Sequence, residues 1–361
     1  MINVTKTYLP NKEKYKKYVD KIFQKGIVTN YGPLVKELEN RLAKYLNVRN
    51  VILVANGTLA LEVAYKTLDL KGEIITTPFT FIATTSSILS NGMEVVYSDI
   101  DPETFNLCPN NIERSITRET SAIVPVHVFG NSCNVDKIEK IANENNLKII
   151  YDASHAFGIE THEKSLLSYG DISTLSFHAT KLFHTIEGGA LVINDDSLSD
   201  KARKILNFGI DGQESIPYLG INAKMNEFEA AMGLCVLDDI EDIISMRKEV
   251  FDRYRKGLSG AVDFQKKDKF STYNYSYFPV LFQNNRQMLK VKRALNNEDI
   301  FPRRYFYPSL DTLSFVKADQ FMSISRNISE RVMCLPFYPD IKISQQKKII
   351  QIILKTIQHE K

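Results

Sequence analysis

An amine, a carboxylate and a hydroxyl stand close together in the middle of this chain. The segment Ser176-Phe177-His178-Ala179-Thr180-Lys181-Leu182-Phe183-His184-Thr185-Ile186-Glu187-Gly188-Gly189 supplies Lys181, with the Ser176 hydroxyl five residues before it. Just upstream, Tyr151-Asp152-Ala153-Ser154-His155-Ala156-Phe157-Gly158 sets Asp152 at the end of an apolar run. A lysine amine condenses with an aldehyde. A carboxylate keeps a pyridine nitrogen protonated, so that the ring accepts electrons. A hydroxyl helps to bind phosphate. Pyridoxal 5′-phosphate needs those three groups.

A lone loop lysine is ordinarily just solvated, so the surrounding elements decide. Leu147-Lys148-Ile149-Ile150-Tyr151 reads as a short, mostly buried strand with Asp152 at its carboxyl end. Ligands of open α/β sheets bind beyond the carboxyl ends of strands. An unpaired carboxylate there is costly, and a pyridinium is a suitable partner.

The elements alternate from about Val51 to Ile193. Val51-Ile52-Leu53-Val54 reads as a strand and Thr58 to Leu68 as a helix. Glu73-Ile74-Ile75-Thr76-Thr77 is the next strand, followed by a helix through Ser90. Glu94 to Tyr97 and Ala122 to Val126 are further strands, and Val135 to Asn143 is helical. Such βα units predict a mostly parallel sheet covered on both faces, with right-handed crossovers. Thr174 to Phe177 and Gly189 to Ile193 read as strands flanking the lysine loop. Asn226 to about Lys256 has one long helical periodicity, long enough to join two domains. Tyr277 to Leu281, Met288 to Asn296 and Ser344 to Ile357 then read as strand, helix and helix. The expected division is a large domain over residues 1–235 and a smaller α+β domain over residues 236–361.

With 361 residues, 43% hydrophobic and 25% charged, the chain is of ordinary globular composition. A net charge of +3 is too small to imply nucleic acid binding. Cys108, Cys133, Cys235 and Cys334 are far apart, which suggests neither zinc nor disulfides and fits a reducing cytoplasm. The N-terminus lacks the pattern of a signal peptide, and no apolar run approaches the ~20 residues of a membrane span. No metal site and no membrane partner are expected.

Three local segments complete the site. Gly57-Thr58 follows the first strand and opens a helix, where N–H groups and the helix dipole favour a dianion. Gly57 permits the close approach, and the bland alternative is that Thr58 is an ordinary cap. Phe81 is the candidate to stack on the ring, with Phe79 as its rival. His155 lies three residues after Asp152, where it is either a cofactor contact or a satisfied buried histidine.

In their order along the chain, these segments resemble the DegT/DnrJ/StrS family of aminotransferases. Thr29-Asn30-Tyr31-Gly32-Pro33-Leu34-Val35, with Glu37 and Glu39, is similar to the family's N-terminal segment. Ala55-Asn56-Gly57-Thr58-Leu59-Ala60-Leu61 is similar to its phosphate turn, and Pro78-Phe79-Thr80-Phe81-Ile82-Ala83-Thr84 to its ring-stacking segment. Gly220-Ile221-Asn222-Ala223-Lys224-Met225-Asn226-Glu227 resembles the segment that reaches the partner subunit's site. The resemblance implies an α/β chain of the aspartate aminotransferase fold, type I among pyridoxal phosphate enzymes. It implies Lys181 and Asp152 as catalytic residues. It implies Gly57, Thr58, Leu59, Phe81, His155, Ser176 and Asn222 as further cofactor contacts, His155 at the phenolic oxygen. Asn30, Lys224, Arg304 and Tyr307 are the expected substrate contacts; the run Arg303-Arg304-Tyr305-Phe306-Tyr307-Pro308 is a candidate anion site of the smaller domain, its alternative a solvated basic turn. His178 and His184 flank the lysine and receive no role.

The activity implied is transfer of an amine from L-glutamate to a dTDP-linked keto sugar by a homodimer with shared sites. The lysine segment looks most like that of the branch aminating C4′ of dTDP-4-keto-6-deoxy-D-glucose for O-antigen or related surface glycans. A C3′ enzyme acting on a dTDP-3-keto-6-deoxy sugar is the alternative, as is a non-catalytic regulator that binds pyridoxal phosphate. The latter would need a DNA-binding module, and no basic helix-turn-helix segment precedes residue 30. Relatives acting as dehydratases carry histidine in place of the lysine, so Lys181 argues against that activity.

Overall fold

The computed structural model describes residues 1–317 and 321–358. Its centre is a seven-stranded sheet in the spatial order Val51–Val54, Gly189–Val192, Ile172–Ser176, Lys148–Asp152, Thr120–Val124, Glu73–Thr76, Glu94–Tyr97. Gly189–Val192 runs antiparallel to both neighbours, and the other pairs are parallel. The strands are almost wholly apolar because both faces are covered. Their two-residue period divides the side chains between two cores. Leu53, Ile123, Ile149 and Leu175 enter one, and Ile52, Ala122, Ile150 and Leu191 the other. Helices Pro33–Tyr45, Val135–Asn145 and Glu227–Asp238 close the first core. Helices Gly57–Thr67, Ile82–Ser90 and Asp196–Ile205 close the second.

The long helix expected over Asn226–Lys256 is two helices, Glu227–Asp238 and Ile240–Leu258, broken at Asp239. Aspartate side chains compete for bonds outside a helix, and here they find them. Asp238 pairs with Arg41 and Lys14, and Asp239 accepts from Tyr8 at 3.1 Å. These ties to the N-terminal helices turn the chain where helical periodicity alone gives no signal.

A third core, including Val250, Tyr254, Phe278, Met288 and Ile349, underlies the C-terminal part. There Pro279–Leu281 pairs antiparallel with Val332–Cys334, and Ile2–Asn3 returns to pair with Ile300–Phe301. A smaller cluster of Phe79, Phe105, Phe129, Tyr277 and Phe306 joins this part to the large sheet. No described helix is long and apolar enough to cross a membrane.

Candidate active site

Lys181 lies in a tight loop between strands Ile172–Ser176 and Gly189–Val192. Its N–H donates to the His178 carbonyl at 2.8 Å, and the Thr185 N–H donates to Phe177 at 2.9 Å. Phe177, Leu182 and Phe183 are buried, and Phe177 and Phe183 pack edge-to-face at 4.8 Å. With these side chains buried, Lys181 turns into a cavity of about 310 Å³, which His178, Thr180 and Glu187 of the same loop also line. Burial lowers the pKa of Lys181 to about 8, against the opposing pull of the Asp152 charge. A substantial fraction of the amine is therefore neutral and nucleophilic at mildly alkaline pH.

Asp152 ends strand Lys148–Asp152 and is buried. One carboxylate oxygen accepts from the Thr84 hydroxyl at 2.8 Å and the other from the Ser154 N–H at 3.1 Å. Helix Gly57–Thr67 points its N-terminus into the same cavity. Its cap is Asn56, which accepts from the Leu59 N–H at 2.9 Å. Thr58 is thus not the cap, and both Gly57 and Thr58 line the cavity. A Cβ on Gly57 would lie 2.9 Å from Ser176 Cβ, so only glycine lets the helix end meet the strand end. A Cβ on Gly189 would lie 2.7 Å from the Asn56 carbonyl, a second close crossing beside the first.

His155 is buried, and its Nδ1 accepts from the Phe129 N–H at 3.1 Å. The bare Nδ1 leaves Nε2 to carry the proton of the neutral ring. Burial, with Lys181 adding to it, holds the imidazole pKa well below its ordinary value. Phe79 is wholly buried among Phe105, Phe129 and Phe306, whereas Phe81 is 55% exposed and lines the cavity. Geometry therefore separates the two rivals.

Lys181, Asp152, Gly57, Thr58, Phe81, His155 and Ser176 all border one cavity. Leu59 does not, because its N–H serves Asn56 and its side chain packs on the sheet core. Asn222 is exposed and pairs through its backbone with Asn207. Asn30 and Lys224 border a separate hollow of about 450 Å³, where Lys224 donates to Asn207 Oδ1 at 2.9 Å. Arg304 is turned back to the Ser329 and Glu330 carbonyls, both at 3.3 Å, and lies over the Tyr307 ring. Arg304 and Tyr307 border an adjoining hollow of about 290 Å³ that shares Phe81 with the lysine cavity. Arg303, not Arg304, reaches the lysine cavity itself.

Sequence reasoning gave no role to Thr84, Tyr277 and Glu187, and in the candidate anion run it picked Arg304 and Tyr307 where Arg303 and Tyr305 line the cavity. Tyr277 lies under the Lys181 amine, 5.9 Å from ring centre to Nζ, with the His155 ring 4.7 Å away. Thr84 follows Thr80 by four residues, their hydroxyls lie 3.0 Å apart, and the Thr84 hydroxyl goes on to Asp152. A larger hollow, about 1280 Å³ between Pro102–Phe105 and the C-terminal part, holds none of these groups. Among the described residues, no cluster of three or more His, Cys, Asp or Glu side chains is placed to hold a metal.

The donor set fits pyridoxal phosphate. A helix N-terminus pressed to a serine by an obligatory glycine suits the phosphate. A buried carboxylate with hydroxyl and N–H partners suits a ring cation, and a partly neutral amine suits an aldehyde. The sequence profile of the DegT/DnrJ/EryC1/StrS aminotransferase family matches residues 10–354. A dTDP-4-amino-4,6-dideoxy-D-glucose transaminase of Shigella dysenteriae is 40% identical over 369 aligned positions, covering 100% of this chain and 99% of its own. One of the same name from Escherichia coli is 36% identical over 364 positions and 98% of each chain. Among solved structures, DesI in the presence of its TDP-sugar product superposes with a TM-score of 0.94. It is 30% identical, with 99% of this chain and 93% of that one covered.

Proposed function

We infer the reaction from one premise: this chain belongs to the DegT/DnrJ/EryC1/StrS aminotransferase family. It is a pyridoxal phosphate-dependent nucleotide-sugar aminotransferase of the α/β type I fold. Its reaction is transfer of the amino group of L-glutamate to C4′ of dTDP-4-keto-6-deoxy-D-glucose, yielding 2-oxoglutarate and the 4-amino-4,6-dideoxy sugar. One observation carries this reading. The Lys181 amine, the Asp152 carboxylate and the Gly57 helix end converge on one cavity, in a chain that aligns end to end with transaminases named for that sugar.

When bound, pyridoxal phosphate supplies an electrophilic carbon that takes the amine and a ring that stores the electron pair of a broken C–H bond. In this chain the Gly57 and Thr58 N–H groups and the Ser176 hydroxyl would hold its phosphate. Asp152 would hold the ring nitrogen, itself fixed by Thr84 and Ser154. His155 would donate from Nε2 to the phenolic oxygen, and Phe81 would cover a ring face. Lys181, whose burial favours the neutral amine, would take the proton from the donor's α-carbon. In the second half the same amine returns a proton at the sugar carbon that bore the ketone. One carrier serving two substrates in turn gives ping-pong kinetics.

The working unit in this reading is a cytoplasmic homodimer that serves surface-glycan synthesis, O-antigen included. Asn222, Asn30 and Lys224 lie away from their own chain's lysine cavity, which supports their service to the partner's cavity. Incubation with L-glutamate and either the 4-keto or the 3-keto dTDP sugar, followed by NMR of the product, tests the regiochemistry. Product from the 3-keto isomer alone would overturn C4′ transfer. Normal turnover by Lys181→Ala would overturn the chemistry itself.

A further inference from the structure

The mechanism above makes no use of the strained turn that follows the lysine. Ile186 has φ +76°, a left-handed conformation that a β-branched residue rarely adopts. Such strain persists only where the surroundings over-determine it, and here they do. The Ile186 N–H donates to His184 Nδ1 at 3.2 Å. His184 is itself buried, with its Nε2 bonded to the Tyr8 carbonyl at 2.7 Å. The Thr185 hydroxyl donates to the Glu187 carbonyl. A Cβ on Gly188 would lie 1.9 Å from Thr185 Oγ1, so this turn requires glycine next.

What the turn delivers is Glu187, on the wall of the lysine cavity. The Glu187 side chain is 54% exposed, with Oε1 3.5 Å from His178 Nε2. Thr180 donates its N–H to His178 Nδ1 at 3.3 Å and sets its hydroxyl 2.8 Å from the same nitrogen, so that Nε2 is the nitrogen that faces Glu187. His178 is the one ion-pair partner of the Glu187 carboxylate among the described residues, and the Glu229 carboxylate is a like charge close enough to interact with it. A strained turn thus aims an anion, steadied by one imidazole, into the cavity where substrates react.

We propose that Glu187, positioned by His178, anchors the hydroxyls of the hexose. The proposal rests on the nucleotide-sugar aminotransferase reading and adds the sorting of its two substrates. One cavity must take a donor with two carboxylates and then a sugar ring without charge. A carboxylate accepts strongly from sugar hydroxyls and repels the donor's carboxylates, so Glu187 marks the wall where the sugar lies. Arg303 borders the same cavity from the C-terminal part and supplies a cation for the donor.

Calorimetric binding of dTDP and of dTDP-D-glucose to the cofactor-loaded protein tests this. Wild type should bind dTDP-glucose more tightly than dTDP. Glu187→Gln should weaken dTDP-glucose about 10- to 100-fold, the scale of losing a charged acceptor, without a matching loss for dTDP. The apparent affinity for glutamate should rise as the repulsion is removed. His178→Ala should lose part of the sugar increment, and His178→Gln, whose amide can still donate to Glu187, should recover much of it. Undiminished binding of dTDP-glucose by Glu187→Gln, or equal losses for dTDP and dTDP-glucose, would refute the anchor. If wild type still aminates the keto sugar, only the anchor fails. A wild type that neither binds dTDP nor aminates a keto sugar fails at the underlying reading.

Discussion

Gly57→Ala is the sharpest probe of how the cavity is built. The added Cβ meets Ser176 Cβ at 2.9 Å, its Cα at 3.2 Å and its Oγ at 3.3 Å. Carbon atoms rest at about 3.5–4.0 Å, so helix and strand must separate by about 0.6 Å. Neither yields easily. The helix buries Ala60, Val63 and Ala64 completely, and Ser176 is laddered to Gly189, which already touches Asn56. Overpacking of this kind costs about 1–3 kcal/mol of stability. The displaced Gly57 and Thr58 N–H groups then miss the phosphate. Loss of one charge-assisted hydrogen bond, about 1.5–3 kcal/mol, weakens the cofactor about 10- to 100-fold. Two measurements check this: the melting midpoint of the cofactor-free protein and its titration with pyridoxal phosphate followed by absorbance. Ser176→Gly in the same chain removes the two side-chain contacts, so the double variant should regain much of the melting midpoint. It should not regain full cofactor affinity, because the hydroxyl is gone. A Gly57→Ala protein that melts like wild type and binds the cofactor as tightly would refute both the crossing and the phosphate assignment.

Other outcomes follow from the same site. Acylation of Lys181 in the cofactor-free protein, located by mass spectrometry, should rise with pH through a midpoint at about 8, because only the neutral amine reacts; a midpoint at the ordinary lysine value would refute the burial argument. In Asp152→Ala that midpoint should fall further, since the carboxylate supports the charged amine. The same variant should lose about two orders of magnitude or more in turnover, and a near wild-type rate would show that another group holds the ring. Mixing inactive Lys181→Ala protomers with inactive protomers carrying Asn222→Ala and Lys224→Ala should restore activity, since one site of the mixed dimer is whole. No recovery after proven subunit exchange would place those residues in cis.

The legible parts of this molecule are those in which neighbours in sequence are neighbours in space. Apolar runs of four or five residues announced the strands, because a parallel sheet covered on both faces has no polar side to show. Asp152 and Lys181 were legible because one ends such a run and the other lies between two. Gly57 was legible as a close approach, although what it approaches, Ser176, is set by the antiparallel return of Gly189–Val192. Residues that depend on distant chain reversals were not legible. Tyr277 and Arg303 enter the cavity from the C-terminal part, through the aromatic cluster that includes Phe79 and Phe306. Nothing in Arg303-Arg304 tells which guanidinium faces inward. The backbone decides it, since Arg303 bridges Cys334 while Arg304 folds back to Ser329 and Glu330. The break at Asp239 escaped for a similar reason, because Arg41, Lys14 and Tyr8 come from elsewhere.

The two glycine crossings also explain why a small cavity can be the reactive one. Gly57 against Ser176 and Gly189 against Asn56 bring a helix end and two strand ends closer than any side chain at either glycine would allow. Three groups proposed to meet one cofactor thereby stand on closely crossed backbone: the helix N–H groups, the serine hydroxyl and the loop that carries Lys181. Asp152 lies on the adjacent parallel strand, held by Thr84 from the helix after Phe81. The wider hollows hold none of these three groups. Reactive geometry here follows the rigidity of the crossings, not the volume they enclose.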